Sequence, residues 1–426
     1  MHPWINLAIL GLLAPLALFP TPTRFCALLV VPALWIMRWA AGRRTSPAGA
    51  NFIPRTPLDV AVLCLATMIV VSMYATFDVA FSLPKIAGLV YGIAVFYATV
   101  DATRSSDRAL AWGVALFLAI GVGLAGLSLL GARWPAKFPV LAPLWERLPA
   151  AIRGLPGAEA GFQANEVAGA LLWFVPLALA LCLFALFWGR NLGWRRWGLA
   201  LGSGFALGVI GGTLLLTQSR GGLAGLVVGL VGMLAFIGWW GRGVVLALVG
   251  AALWGVYQVG WERIGAILFG SESLEAVGTM SLSGRIELWS RAIYGIQDFP
   301  FTGMGLNAFR RVVPVLYPLF LVGPDTDIAH AHNLWLQAAL DLGLPGLIAY
   351  LALWMVTVCL LLSAWRARGA ALWLRAAALG VLGGLIAHFV YGITDTVALG
   401  AKPGFALWML LGLAVAIWQR SAQAPQ

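Results

Sequence analysis

The chain has 426 residues, 61% of them hydrophobic and only 10% charged, which is more apolar surface than the core of a soluble protein of that length could hide. Its formal charge of +11 comes from basic residues scattered in ones, twos and threes rather than gathered in a stripe. That distribution argues against nucleic acid as a partner and leaves membrane topology, anionic lipid head groups or a phosphate-bearing substrate to explain the excess.

In chain order, windows of about 19 residues predict about twelve membrane spans. They fall near 4–20, 25–42, 58–75, 84–100, 109–131, 167–188, 198–217, 222–240, 244–261, 344–364, 376–394 and 403–419. The opening MHPWINLAILGLLAPLALFPTPTRFC lacks the basic leader and small-residue cleavage site of a removable signal, and reads as the first span. Cys26, Cys64, Cys182 and Cys359 each sit in an apolar run at no metal-ligand spacing. With the N-terminus inside, Arg38, Arg43, Arg44, Arg55, Arg104, Arg108, Arg190, Arg195, Arg196, Arg242, Arg366, Arg368, Arg375 and Arg420 all fall on the cytoplasmic side. The short outer connections then hold only Arg24, Lys85, Arg220 and Lys402, and the positive-inside rule places both termini in the cytoplasm. The expected fold is an all-α integral membrane protein, one polytopic domain over residues 1–426 without internal repeats. Two outer segments, 132–166 and 262–343, are too long for simple connectors.

In the first of these, IRGLPGAEAGFQANEVAGALL places Arg153 and Asn165 ahead of the sixth span, with Asn165 where a helix cap is expected. Arg220, in LLLTQSRGGLAGL, interrupts two apolar runs. A charge at that depth either faces a cavity or substrate path, or snorkels to the interface. Gly221 and Gly222 would let the backbone turn sharply and a bulky group approach, and a guanidinium can grip phosphate oxygens bidentately.

In the large segment, SGRIELWSRAIYGIQDFPFTGMGLNAF repeats Ile286, Leu288, Trp289, Ile293 and Ile296 at near-helical spacing until DFP. This predicts an amphipathic helix near the outer interface, followed by a tight turn at Gly303 and Gly305. Arg285 and Trp289 share a helix face, with Arg291 displaced around it. Such a face suits a ligand carrying phosphate with a sugar or isoprenoid, and equally a bed of lipid head groups. Asp325-Thr326-Asp327 is a weak divalent-ion pattern. No HExxH, Cys/His metal spacing or Gly-rich nucleotide loop accompanies it, so chemistry without metal or cofactor is expected.

The segment ends in AHAHNLWLQAALDLGLPGL. His332-Asn333 precedes nine residues and then Gly343-Leu344-Pro345-Gly346, which parses as a short helix from about Leu334 to Leu342. Asn333 would be its N-cap, Gly343 its C-terminal cap, and Pro345 would open the next span. A helix start beside His332 favours the neutral imidazole that a general base needs, whereas His330 has proximity alone. From spacing alone, the histidines equally read as interfacial residues holding loop backbone. Asp395, in YGITDTVALGAKPG, closes the eleventh span; it either orients His332, balances a buried arginine, or is a solvated loop acid.

The chain resembles the O-antigen ligases and their relatives, the Wzy-type polysaccharide polymerases, most specifically over residues 213–346. The His332-Asn333 motif is similar to the ligase pattern His-[Asn/Ser/Gln]-x9-Gly-x-x-Gly, and SRGG, GRIELW and PFTGMGLNAF are similar to other signatures of the family. The resemblance implies a GT-C-like fold in the bacterial inner membrane, with a large periplasmic loop between helices 9 and 10 carrying the active site. It implies that His332 is general base toward an acceptor sugar hydroxyl, and that Arg220 and Arg285 bind the pyrophosphate of an undecaprenyl-linked glycan, in a metal-independent, inverting transfer. Arg291, Asn333 and Asp395 would support them. Arg153 and Asn165 also resemble a family feature, although EAGFQAN departs from the usual Asn-Pro-Asn. The implied partners are the lipid-linked donor, a lipid A core or glycan acceptor, and membrane lipid. A ligase delivers the glycan to lipid A core, a polymerase to another repeat unit, and some relatives to protein. Ligase is the expected function and polymerase the alternative; solute transport, described for other relatives, lacks support because neither internal repeats nor helices broken at the midplane are evident.

Overall fold

The computed structural model describes residues 4–19, 21, 24–45, 53–132, 134, 138, 140, 142–147, 162–260, 263, 282–321 and 327–423. In chain order its helices are α1 (Trp4–Leu18), α2 (Val30–Thr45), α3 (Asp59–Ala75), α4 (Val79–Thr103), α5 (Asp107–Gly131), α6 (Ala142–Arg147), α7 (Ala164–Leu171) and α8 (Val175–Leu183). There follow α9 (Arg195–Leu216), α10 (Arg220–Leu234), α11 (Trp239–Val259), α12 (Leu282–Asp298), α13 (Phe309–Leu316), α14 (Leu334–Arg366), α15 (Leu372–Thr394) and α16 (Phe405–Ala422). Among the described residues, extended pairing is confined to an isolated bridge between Ala132 and Phe162.

Eight helical stretches among the described residues are long and apolar enough to cross a membrane: Val79–Thr103, Asp107–Gly131, Ala164–Leu192, Arg195–Leu216, Trp239–Val259, Leu334–Arg366, Leu372–Thr394 and Lys402–Ala422. Four shorter apolar helices, Trp4–Leu18, Cys26–Met37, Asp59–Ala75 and Arg220–Leu234, lie where the remaining spans are expected. Side-chain caps define several starts: Asp78 accepts from the Ala80 and Phe81 amides, Ser106 from Ala109, and Ser219 from Gly222.

The main core runs through α4, α5, α7, α8 and α14 to α16, with Phe96, Phe117, Trp173, Phe174 and Tyr391 fully buried. Within it, α10 lies close along α15 because glycines face the contact. A Cβ on Gly229 would stand 2.6 Å from the Gly383 carbonyl oxygen, and one on Gly225 would strike that of Ala387. By contrast α11 buries only Gly241, which leaves its large side chains to the surroundings.

The described part of the long segment ahead of α14 is a folded unit. Leu288, Ala292, Met304, Ala308, Phe309, Val313, Ile328, Ala331 and Leu340 form a second buried cluster between α12, α13 and the start of α14. The predicted amphipathic helix is α12, and Gly303 and Gly305 take φ of 67° and 93° in the turn after it. The histidine motif folds as parsed: α14 breaks at Gly343, with φ 72° and ψ 175°.

Two local expectations are corrected. Gly221 and Gly222 do not turn the chain but belong to the first turn of α10. The reversal falls earlier, at Gln218 with φ 48°, and the glycines serve close packing against Thr394 and Ala168. Asn165 is not the cap of its helix, because α7 starts at Ala164 after Gln163, which puts Asn165 inside the first turn.

Candidate active site

Each backbone element around His332 is tied to another. Asn333 caps α14 with its Oδ1, which accepts from the Trp335 and Leu336 amides at 3.0 Å each. Its Nδ2 donates to the Ile393 carbonyl at 3.0 Å, which fastens the start of α14 to the end of α15. Two residues further on, Asp395 turns back to the imidazole, with Oδ1 3.0 Å from His332 Nδ1. The same carboxylate oxygen accepts the Thr396 amide at 2.9 Å. An ionised carboxylate can only accept, so Nδ1 donates to Asp395 and Nε2 is the ring nitrogen left for a substrate.

Burial would raise the Asp395 carboxyl, but His332, by charge and hydrogen bond, and Arg285 together hold it well below the usual carboxylate range. His332 is the more accessible partner, its side chain 21% exposed against 7% for Asp395. Of the roles open to Asp395 in the sequence, solvated loop acid is the one its burial and partners exclude.

His330 sits against this pair, ring centroids 4.5 Å apart, and its Nδ1 accepts the His332 amide at 3.3 Å. Burial first, then the charge of His332, pushes the His330 imidazole down to about 3, so the ring is neutral and free to accept. Its place is therefore more than proximity. His332 itself has φ 49°, in the left-handed region that a non-glycine residue occupies only when its surroundings enforce it.

Arg285, at the start of α12, is near enough for its charge to act on both Asp395 and Tyr391. Arg220 is exposed at the start of α10, and the turn it opens lies against the same end of α15: a Cβ on Gly221 would collide with Thr394 Oγ1. An arginine at a helix N-terminus stands against the helix dipole, so its placement there does not stabilise α10. What it adds is positive charge beside amides already suited to an anion. Asn165 joins through its backbone, its carbonyl accepting the Tyr391 hydroxyl at 2.8 Å.

Arg291 is engaged elsewhere. It pairs with Glu287 at 3.4 Å and donates Nε to the Pro318 carbonyl at 2.9 Å, while Glu287 accepts the Phe320 and Leu321 amides. Together they pin the chain after α13 onto α12. Arg153 and Asp325 lie outside the described residues, and Asp327 is paired with Arg310 at 2.8 Å. Candidate metal donors appear instead where sequence spacing did not suggest them: ligand atoms of His330, His332 and Asp395 all lie within 4.8 Å of one another. The sequence analysis counts Lys85 only among the outer cations and gives no site role to it or to Arg310, whose charges act on His330, or to the buried Gln337 and Asp341. A lone lysine in an apolar run and two polar residues inside a nine-residue spacer gave no motif to find them by.

Residues 204–351 match the family model described as O-antigen ligase. This region is similar to the O-antigen ligases. The match takes in Arg220, Arg285, Arg291, His332 and Asn333, whereas Asn165 and Asp395 reach the site from outside it. It supports the resemblance to the O-antigen ligase and Wzy-type superfamily, and with the apolar helices it makes the chain a multi-pass membrane protein. No curated protein matches the chain.

Proposed function

We propose that the chain is a glycosyltransferase of the bacterial inner membrane. It moves a glycan from an undecaprenyl-pyrophosphate carrier to an acceptor sugar hydroxyl at the periplasmic face, as an O-antigen ligase acting on lipid A core. The observation that carries the reading is the 3.0 Å contact of His332 Nδ1 with the buried Asp395 carboxylate, in a chain with a region similar to the O-antigen ligases.

In this reading, Asp395 holds His332 in the tautomer whose Nε2 takes the proton of the acceptor hydroxyl. The oxygen attacks the anomeric carbon from the face opposite the phosphate, the carbon–oxygen bond to the pyrophosphate breaks, and the configuration inverts. Charge builds on the departing pyrophosphate, and the guanidinium groups of Arg220 and Arg285, with the α10 N-terminus, are the groups assigned to stabilise it. Bidentate hydrogen bonds are what a guanidinium offers phosphate, so the transfer needs no metal. Termini in the cytoplasm and an outward-facing site complete the arrangement, as the arginine distribution suggests.

The test is transfer in proteoliposomes holding the purified protein, an undecaprenyl-pyrophosphate-linked glycan and O-chain-free lipid A core. Glycan appearing on the core supports ligation. Longer lipid-linked glycans with an unmodified core would replace the ligase reading by polymerisation, and no transfer to either would end the glycosyltransferase reading.

A further inference from the structure

The nine residues between His332-Asn333 and Gly343 are a spacer only in the motif. Gln337 and Asp341 lie one helical turn apart on the buried side of α14, each 2% exposed among alanines and leucines. Gln337 Oε1 accepts the Ala331 amide at 2.8 Å, and its Nε2 donates to Asp341 Oδ1 at 2.8 Å. Asp341 also accepts the backbone amide of Asn307, which has φ 70° in the turn after α12. The next amide along, that of His332, goes to His330 Nδ1. Two consecutive loop amides are thus satisfied by side chains, at the point where His332 is held in a left-handed conformation.

We infer that Gln337, oriented by Asp341, is a positioning residue that fixes the turn carrying His332 and so aims its imidazole at the acceptor. Two buried polar groups in an apolar helix are costly unless each is paired, and the two partners of Gln337 hold its amide in one orientation. The Ala331 amide can only donate, which sets Gln337 Oε1 toward it and leaves Nε2 to donate to Asp341 Oδ1. Without this clamp, the Ala331 amide loses its acceptor, and the His332 backbone is held on its C-terminal side alone, by the Asn333 cap. The chemistry would remain possible, but the base would be misplaced. A displacement of about 1 Å commonly costs about 10²-fold in rate.

The inference rests on His332 as the base, and the experiment separates the two. In the proteoliposome assay with undecaprenyl-pyrophosphate-linked glycan and lipid A core, Gln337→Leu is expected to lower kcat about 10²-fold with the donor KM changed little. Gln337→Glu keeps the acceptor for Ala331 but sets two carboxyls together, and should fall comparably at alkaline pH, where the variants are compared, because at lower pH the pair can share a proton that replaces the lost bond. The double variant Gln337→Glu/Asp341→Asn restores every bond with the polarity reversed. The amide nitrogen introduced at position 341 can donate to the carboxylate introduced at position 337, while the amide oxygen accepts from Asn307. Its kcat should recover to near wild type. Hydrogen exchange without substrate gives a second readout: Gln337→Leu should speed exchange of the Ala331 amide about tenfold or more and leave the remainder of α14 unchanged. If Gln337→Leu does not fold, the single and double glutamate variants decide. Unchanged exchange at Ala331, or a double variant no better than Gln337→Glu, overturns the inference. Wild-type turnover by His332→Ala overturns the general-base reading instead.

Discussion

Gly303 and Gly343 meet back to back. A Cβ on Gly303 would lie 2.5 Å from the Gly343 nitrogen, and one on Gly343 would lie 2.5 Å from the Phe301 carbonyl oxygen. The turn after α12 is thereby stitched to the break in α14: the Met304 amide donates to the Leu340 carbonyl at 2.7 Å, and the Leu344 amide to that of Pro300 at 2.7 Å. The carbonyl left over where the short helix stops is satisfied by the other motif. With φ 72° and ψ 175°, Gly343 occupies a region essentially closed to side chains, at a cost of about 1–3 kcal/mol before any collision is counted. Gly343→Ala should therefore clearly lower the thermal unfolding midpoint in detergent. Gly126→Ala, on α5 with nothing near its would-be Cβ, should leave it unchanged or raised. Equal midpoints for the two variants would contradict the role given to the break.

Separation of base from donor site comes next. His332→Ala should cut transfer about 10²- to 10⁴-fold, with donor binding kept, because in the proposed mechanism the imidazole acts on the acceptor hydroxyl. Asp395→Asn keeps the shape but offers a neutral amide to Nδ1, and should fall less far than His332→Ala. Binding of a fluorescent undecaprenyl-pyrophosphate glycan, measured beside turnover, distinguishes these effects; loss of donor binding in His332→Ala would place the imidazole on the wrong substrate.

The parts of this site that could be read from the sequence are those governed by local rules. Asn333 as N-cap and Gly343 as stop follow from residue type within one helix, and the α12 periodicity gave its span. Orienting His332 is one of three roles the sequence leaves open for Asp395, because no spacing rule connects residues 63 positions apart. Gly221 was misread because a glycine after a charged residue signals a turn locally, whereas here it signals a helix approaching closely. Gln337 was passed over because its function lies in an amide it accepts from a loop.

Arg220→Ala should weaken donor binding as well as turnover. A charge-assisted hydrogen bond is worth about 1.5–3 kcal/mol, which corresponds to roughly 10- to 100-fold in Kd. Arg220→Lys should recover part of the affinity, since the ammonium keeps the charge but loses the planar fork. Titration of the labelled donor against each variant checks this, and wild-type affinity in Arg220→Ala would return the residue to a snorkelling role.

Orientation rests on the arginine distribution and is tested without substrate. After replacement of the four native cysteines, a cysteine at the exposed Gln297 of α12 should react with an impermeant thiol reagent applied to intact spheroplasts. A cysteine at Arg195, at the exposed start of α9, should react only after the membrane is opened. Reversed labelling would turn the site toward the cytoplasm and remove the periplasmic acceptor from consideration.

Metal dependence is the sharpest test of the mechanism, because His330, His332 and Asp395 have the donor atoms a divalent ion would use. The two arrangements require different things of the same side chains. In the general-base reading, the Asp395 carboxylate accepts from Nδ1 of His332, and His330 only receives a backbone amide. In a metal centre, all three would turn lone pairs toward one ion, which would displace the Nδ1 proton and supply a polarised oxygen in place of a base. In the general-base reading the guanidinium groups answer the leaving-group charge, so transfer is expected to survive EDTA, and His330→Ala is expected to keep substantial activity while His332→Ala does not. Activity lost with EDTA and restored by zinc, manganese or magnesium, together with an inactive His330→Ala, would make the cluster a metal site and withdraw His332 as the free base.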